Sequence, residues 1–330
     1  MSANVRILPS GHEFVVEANE SLLQAALRSG LALEFSCTTG TCGECAGRVK
    51  EGRVRQIRFH DYVIREADKR RGTVLLCCCS ADEDVTIEAR EASGPGDIPV
   101  QNVRARLYGQ ETSDKGVAIV HLRVMRGKML RFLAGQHARL KLPGARPMDV
   151  SIASCPCDGV NLEFHFDAHD GGDLSARALA GFTKTDRFDI EGPRGDFTLD
   201  EASDRPLVFI ASDTAIAPVK SIIEHAINLE LAQPIQLRWH TMRPDGHYLH
   251  NYFRSLTDAL DEFSYVPIAG GVSAESFADM SDASAMDVYA AGRDAFVSAA
   301  RDLLLARGLP RERLFVDALN CRRPSALKED

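Results

Sequence analysis

The chain has 330 residues, of which 45% are hydrophobic and 26% charged, with a formal net charge of −8 and nine cysteines. That length accommodates two or three domains, the composition is that of a globular protein, and the acidic balance disfavours nucleic acid and anionic membrane as partners. The longest apolar runs, such as 207–211 and 117–120, are too short to span a bilayer. The N-terminus runs straight into a strand pattern, so no signal peptide is expected. Cysteines at cluster spacing without an export signal point to a reducing, cytoplasmic setting rather than a disulfide framework.

Residues 5–8 and 13–17 read as two strands joined by a turn at 9–12. A helix is expected over 21–29, with Leu22, Leu23, Ala26 and Leu27 at helical spacing, Asn19 as N-cap and Gly30 just past the end. Next comes Cys37-Thr38-Thr39-Gly40-Thr41-Cys42-Gly43-Glu44-Cys45, three thiols at C-x4-C-x2-C spacing. Soft sulfur donors select iron–sulfur clusters, zinc or cuprous ions. Zinc sites usually come as two short Cys pairs, and there is no second such pair. The x4, x2 spacing with a distant fourth Cys is the plant-type signature of a 2Fe-2S cluster. Gly40 and Gly43 give the loop the backbone freedom needed to bring N–H groups close to sulfur. A fourth ligand is expected from Cys77, Cys78 or Cys79, and chemistry alone does not choose among them.

Strands at 46–49, 53–57 and 85–88 complete a small mixed sheet, and 91–97 has the composition of a linker. Strands at 103–109, 117–124, 137–142, 150–153 and 160–166 suggest a small antiparallel barrel reaching about residue 199. From 207 the pattern alternates: strand 207–211, helix 217–231, strand 235–240, helix 249–262, strands 265–268 and 287–291, helix 294–306 and strand 314–316. That alternation predicts a parallel α/β sheet.

The first ninety residues resemble the β-grasp fold of plant-type ferredoxins. In that family the fourth Cys follows two apolar residues and precedes an Asp-Val pair, so Asp84-Val85 selects Cys77 and leaves Cys78 and Cys79 as buried small hydrophobes. The metal ligands implied are Cys37, Cys42, Cys45 and Cys77. Three modules, 1–92, 99–200 and 205–330, resemble in this order the ferredoxin-reductase superfamily in its form with an N-terminal ferredoxin domain. The reductase components of multicomponent oxygenases and the CDP-6-deoxy-glucoseen reductases of deoxysugar synthesis are of this kind. Gly135-Gln136, the run from Glu191 to Phe197, Ile216-Ala217-Pro218 and Asp317-Ala318 carry the likeness. It implies a β-grasp ferredoxin domain, an FAD-binding-type barrel and an NAD(P)-binding-type α/β domain. It also implies electron flow from NAD(P)H through FAD and the cluster to a protein acceptor, such as an oxygenase or dehydratase component.

The resemblance assigns Ser151, Ser154, Gly172 and Ser175 to flavin, and Thr214, Pro218 and Gly292 to nicotinamide; no catalytic residue is assigned. The chain also departs from the pattern. Met148 stands where the family's flavin-phosphate Arg belongs, and Val150 replaces its aromatic. Ser212-Asp213-Thr214-Ala215 stands where the family has Gly-Gly-Thr-Gly, Ala291-Gly292-Arg293 replaces Cys-Gly-Pro, and Leu319 replaces a C-terminal aromatic. Asp213 is expected either to face cofactor phosphate or to cap the following helix. These changes predict weak binding of both FAD and NAD(P)H. Two readings follow: a reductase, or a non-reductase electron-transfer or assembly subunit with the cluster as its only redox centre. His165, His169 and Asp170 are expected to be a coincidental grouping, and His240, His247 and His250 to lie in solvated positions.

Overall fold

Alternation of apolar and polar residues starts the fold. In the computed structural model, β1 (Ala3–Leu8) and β2 (Glu13–Val16) form an antiparallel pair that turns Val5, Ile7, Phe14 and Val16 inward. Residues 2–319 are described, apart from 61, 62, 93, 127, 169, 170, 244, 245 and 281. Helix α1 (Leu22–Arg28) is capped by Ser21 rather than by Asn19. The Ser21 hydroxyl accepts from the Gln24 N–H at 3.2 Å, and the Gln24 side chain accepts from the Ser21 N–H, a reciprocal capping box. Asn19 instead holds a left-handed turn at φ 66°.

β3 (Ala46–Glu51), β4 (Val54–Gln56), α2 (Glu66–Lys69), β5 (Thr73–Leu75), β6 (Cys79–Ala81) and β7 (Val85–Glu88) follow. The main sheet has the order β2-β1-β7-β3-β5, mixed as expected. β4 does not join it; it pairs with β6 as a separate two-stranded ribbon. Leu22, Leu23 and Ala26 of α1 pack with Val5, Ile7, Leu75 and Ile87 in one apolar core.

The second sheet contains β8 (Gln101–Thr112), β9 (Val117–Val124), β10 (His137–Lys141), β11 (Met148–Ser151), β12 (Asn161–Asp167) and β13 (Arg187–Arg194), with α3 (Gly172–Ala180) between the last two. Its order is β11-β10-β13-β8-β9-β12, antiparallel throughout. Just beyond β11, the Ala153 N–H donates to the Glu163 carbonyl of β12 at 2.8 Å, so the sheet is a nearly closed barrel. β13 has no counterpart among the expected strands, although its alternating Phe188 and Ile190 point into the barrel core.

The third sheet is parallel, in the order β16-β15-β14-β17-β18. Its strands are β14 (Leu207–Ser212), β15 (Ile235–Thr241), β16 (Phe263–Ala269), β17 (Asp287–Gly292) and β18 (Leu314–Ala318), linked by α4 (Ile216–Asn228), α5 (His250–Ala259) and α6 (Asp294–Ala306). β14 is buried along its whole length, as its uninterrupted apolar run requires. The strand order reverses between β14 and β17, and such a switch point leaves a crevice at the carboxyl ends of the strands.

Candidate cofactor sites

The loop from Cys37 to Cys45 lies between α1 and β3 and bends at Gly40 (φ 80°) and Gly43 (φ 87°). A Cβ on Gly40 would sit 2.5 Å from Cys78 Sγ, so this position has neither the conformation nor the space for a side chain. Cys37 lies within hydrogen-bonding reach of Cys42, and Cys45 within reach of Cys77. Burial opposes ionisation of Cys37, but the Thr41 hydroxyl, the Cys42 thiol and the Thr39 and Thr41 N–H groups donate to its sulfur and draw the thiol down to about 5. Neighbouring Cys77 and burial push the Cys45 thiol up. Among the described residues, no three His, Cys, Asp or Glu side chains gather closely enough for a single metal ion. Thiols arranged two by two fit a group with two metal atoms, each taking one pair. Cys78 Sγ is 3.6 Å from Cys77 Sγ and fully buried against the loop, and Cys79 is buried on β6. Cys42 is exposed, so one edge of the loop meets solvent.

On the barrel, Ser151 is buried on β11 and Val150 belongs to the barrel core. The Ser154 hydroxyl accepts from the Glu163 N–H at 3.2 Å. Gly171 (φ 68°) and Gly172 (φ 86°) open α3, and a Cβ on either would meet nothing within 4 Å. Among the described residues, no side chain caps this helix. Its first N–H groups and the open space beside them fit a phosphate group. Ser175 is buried, and its hydroxyl donates to Met148 Sδ at 3.5 Å, so a thioether occupies the place of the family's guanidinium. The phosphate cradle thus fits FAD, while the arginine contact is missing.

A cleft of about 420 Å³ opens at the carboxyl ends of the parallel strands; Asp213, Thr214, Arg243, Arg293, Phe296 and Leu319 are among its walls. Asp213 takes φ 48° where the resembled family has glycine. It does not cap α4: Asp213 Oδ1 accepts from the Met242 N–H at 3.1 Å, which ties the end of β14 to the loop after β15. Trp239 Nε1 donates to the Asp213 carbonyl at 3.0 Å and fixes the same turn. Thr214 is buried beside it, and Pro218 is buried in the first turn of α4. Gly292 is sterically required, since a Cβ there would lie 2.6 Å from both Ser212 Oγ and Phe296 Cδ1. Arg243 and Arg293 give the cleft two cations, a donor set that fits a nucleotide's phosphates; Arg243 Nη2 also pairs with barrel Asp167 at 2.7 Å.

Some functional geometry escaped the sequence. Lys220 of α4 is buried and paired with Glu163 of β12 at 3.1 Å and with Glu224 at 2.7 Å; His165 Nε2 meets the same Glu163 at 2.7 Å. A lysine inside the apolar run Val219 to Ile223 was the available signal. Burial opposes the charge on Glu163, but His165 and Lys220 overcome it and hold the carboxyl at about 2. His165 also bonds the Tyr248 hydroxyl at 2.8 Å, so it is a structural group; its expected companions His169 and Asp170 lie outside the described residues. His240 is not solvated: it is fully buried on β15, with Nδ1 3.2 Å from the Gly270 carbonyl. His247 Nε2 likewise bonds the Trp239 carbonyl at 2.7 Å, and His250 lies 3.4 Å from the Tyr265 hydroxyl.

Residues 5–82 match the family of 2Fe-2S iron-sulfur cluster binding domains. The CDP-6-deoxy-L-threo-D-glycero-4-hexulose-3-dehydrase reductase of Yersinia pestis is 30% identical over 333 aligned residues, covering 96% of this chain and 98% of that protein. The reductase component of propane 2-monooxygenase from Rhodococcus jostii (strain RHA1) is 27% identical, with 94% and 89% covered. The crystal structure of the Amycolatopsis cytochrome P450 reductase GcoB has the same fold, with a TM-score of 0.62 at 23% identity over 96% of this chain and 98% of that one. On these grounds the chain belongs to the ferredoxin-reductase family of oxidoreductases, in its form with an N-terminal 2Fe-2S ferredoxin domain.

Proposed function

We propose that the protein is an iron–sulfur flavoprotein reductase that passes electrons from NAD(P)H through FAD and a 2Fe-2S cluster to a partner protein, an oxygenase component or a sugar dehydratase. The observation that carries this reading is the pairing of four thiols, Cys37 with Cys42 and Cys45 with Cys77, in a chain that also holds a glycine-rich helix start and a two-arginine cleft. In this reading the division of labour is 1–92 for the cluster, 99–200 for FAD and 205–330 for NAD(P)H. When bound, NAD(P)H supplies an electron pair as hydride, FAD converts it to single electrons, and the cluster carries these one at a time.

Each site has its own task. Cys37, Cys42, Cys45 and Cys77 are the cluster ligands, and the Thr41 hydroxyl, 3.5 Å from Cys37 Sγ, stabilises negative charge on sulfur. Gly172 and Ser175 start the helix that receives the FAD pyrophosphate, while Ser151 and Ser154 line the flavin side of the barrel. Thr214, Pro218 and Gly292 shape the nicotinamide cleft, and Arg243 and Arg293 attract the dinucleotide's phosphates. Exposed Cys42 marks the edge of the cluster loop from which an acceptor protein takes electrons.

The two relatives are named for different acceptors, a dehydrase in Yersinia pestis and a monooxygenase in Rhodococcus jostii. Anaerobic titration of the FAD-supplemented protein with NADH and NADPH tests the electron path. The expected outcome is bleaching of the cluster's visible absorption and a rhombic electron paramagnetic resonance signal. An unbleached cluster at saturating FAD and nucleotide would favour the cluster-only subunit instead.

A further inference from the structure

One group of reactive side chains has no part in the three cofactor sites. Cys155-Pro156-Cys157 follows β11, and the Asp158 N–H donates to the Cys155 carbonyl at 3.3 Å. This closes a four-residue turn with proline at its second position, where its fixed φ favours turning. The turn brings the two sulfurs together, so that the Cys157 thiol lies within hydrogen-bonding reach of Cys155 Sγ. Such a turn also holds its first and third Cα atoms inside the roughly 4.4–6.8 Å span that disulfides bridge.

Helix α4 supplies the rest. Asn228 Nδ2 donates to both sulfurs, at 3.1 Å to each. The Cys157 N–H donates to Cys155 Sγ at 3.3 Å. The His225 ring, one turn before Asn228, adjoins Cys155. Its Nε2 is held by Glu201 Oε1 at 2.9 Å, and its buried Nδ1 has no hydrogen-bond partner among the described residues. Cys155 is buried, whereas Cys157 is partly open to solvent. The two sulfurs are therefore unlike: one is surrounded by donors, and the other is reachable.

We propose that Cys155 and Cys157 form a redox-active dithiol–disulfide pair that exchanges with low-molecular-weight thiols and disulfides, with Cys155 as the stabilised thiolate and Cys157 as the exchanging sulfur. The electrostatics agree. The donated Cys157 thiol is the largest influence on Cys155; burial opposes it, His225 reinforces it, and the Cys155 thiol falls to about 5. Cys157 is pushed up by the same contact.

In the reducing direction, an external thiolate attacks Cys157 Sγ. The Cys155–Cys157 bond breaks, and its electron pair stays on Cys155, where Asn228, the Cys157 N–H and His225 receive the charge. A second external thiolate attacks the external sulfur of the mixed disulfide. Cys157 leaves and takes a proton, giving one external disulfide and the protein dithiol. Two external thiols thus give up two electrons and two protons, and an external disulfide reverses the sequence. Donors that stabilise the leaving thiolate favour the reduced form and make the pair an easily reduced disulfide.

The test equilibrates the full-length, cluster-containing protein anaerobically in glutathione buffers of graded oxidised-to-reduced ratio. Acid quenching, alkylation and mass analysis of the tryptic peptide 142–177 follow; that peptide contains Cys155 and Cys157 and no other cysteine. The expected result is reversible, joint loss of both alkylation sites at one midpoint while the cluster absorption stays constant. Asn228→Ala, which removes a donor to a charged sulfur, should move the midpoint on the order of tenfold toward reducing ratios. Two alkyl groups on the peptide at every ratio, or glutathione adducts without an internal disulfide, would overturn the proposal. An unshifted midpoint in folded Asn228→Ala would overturn the assignment of Cys155 as the stabilised thiolate. If that variant does not fold, the titration of the unmodified protein decides.

Discussion

The cluster loop and the nicotinamide turn both need left-handed backbone, and they reach it with different residues. In the cluster loop, Gly40 and Gly43 supply it, and a Cβ on Gly40 would collide with Cys78 Sγ. At the end of β14, Asp213 supplies it at φ 48°, and its carboxylate is anchored by the Met242 N–H. A left-handed non-glycine residue costs about 1–2 kcal/mol, and short polar side chains such as Asp tolerate it best. The comparison shows that left-handed backbone can be held without glycine where the side chain and carbonyl are anchored, as at Asp213 by the Met242 N–H and Trp239 Nε1. What changes is the charge presented to the ligand. Where the space itself is needed, at Gly40 and at Gly292, glycine is kept.

The sharpest break of that comparison is at the thiols. Replacing Cys37, Cys42, Cys45 or Cys77 singly by Ser should abolish the 2Fe-2S absorption and paramagnetic signal or strongly perturb both, since each closes a coordination position. Cys78→Ser and Cys79→Ser should retain both. An intact cluster in Cys77→Ser would assign the fourth position to a neighbouring sulfur.

The sequence made the cluster spacing legible because ligands lie close together in the chain and their spacing is itself chemical. The alternation of strands and helices in the third sheet was legible too, down to α6 at 294–306, because burial imposes the period, whereas β5, β6, α2 and β13 were not. What stayed hidden depends on partners distant in sequence. One exception is local: Ser21 rather than Asn19 caps α1 because Gln24, three residues on, returns its hydrogen bond, a spacing the sequence itself displays. β4 leaves the main sheet because β6 is available to it. Asp213 is claimed by Met242 across two strands, and Lys220 by Glu163, so neither role shows in a local pattern.

The next largest effect lies where the reductase half is joined. Glu163 and Lys220 bind barrel to α4, whereas the ferredoxin sheet has no part in that pair. The folded-state carboxyl of Glu163 is held at about 2, below the ordinary 4.5. A depressed carboxyl contributes stability above its unfolded value and loses it as pH falls through its folded value. The contribution, about 3 kcal/mol, should therefore be complete above pH 4.5 and fade toward pH 2. Fluorescence of Trp239, the chain's one tryptophan, reports this half in urea titrations. The midpoint should drop between pH 5 and pH 3, and the drop should shrink in Glu163→Gln. An equal drop in both proteins would move the acid sensitivity elsewhere.

At the flavin site the comparison can be sharpened by restoring a charge. Met148→Arg returns a guanidinium beside the α3 start and releases the Ser175 hydroxyl from its thioether partner. A charge-assisted phosphate contact contributes about 1.5–3 kcal/mol, so FAD should bind at least tenfold more tightly by fluorescence titration. The companion change Val150→Tyr is unsuitable, because Val150 packs in the barrel core and overpacking costs about 1–3 kcal/mol. Unchanged FAD affinity in folded Met148→Arg would place the phosphate away from this strand.

The smallest expected effect separates shape from charge at Asp213 itself. A carboxylate about 6 Å from a pyrophosphate, at an effective dielectric near 20, opposes binding by roughly 3 kcal/mol. Arg243 and Arg293 share the cleft and offset part of this, so relief of the repulsion should strengthen NADH binding on the order of tenfold. Asp213→Asn removes the charge, keeps an acceptor for the Met242 N–H, and keeps a residue that tolerates positive φ. Asp213→Gly removes the charge and the anchor together but relaxes the backbone. If charge is what differs between this turn and the family's glycine turn, calorimetry should give both variants the same gain. If anchoring dominates, Asp213→Asn should gain and Asp213→Gly should not. Wild-type affinity in both would mean that the dinucleotide's phosphates lie elsewhere in the cleft, nearer Arg293 than the turn after β14.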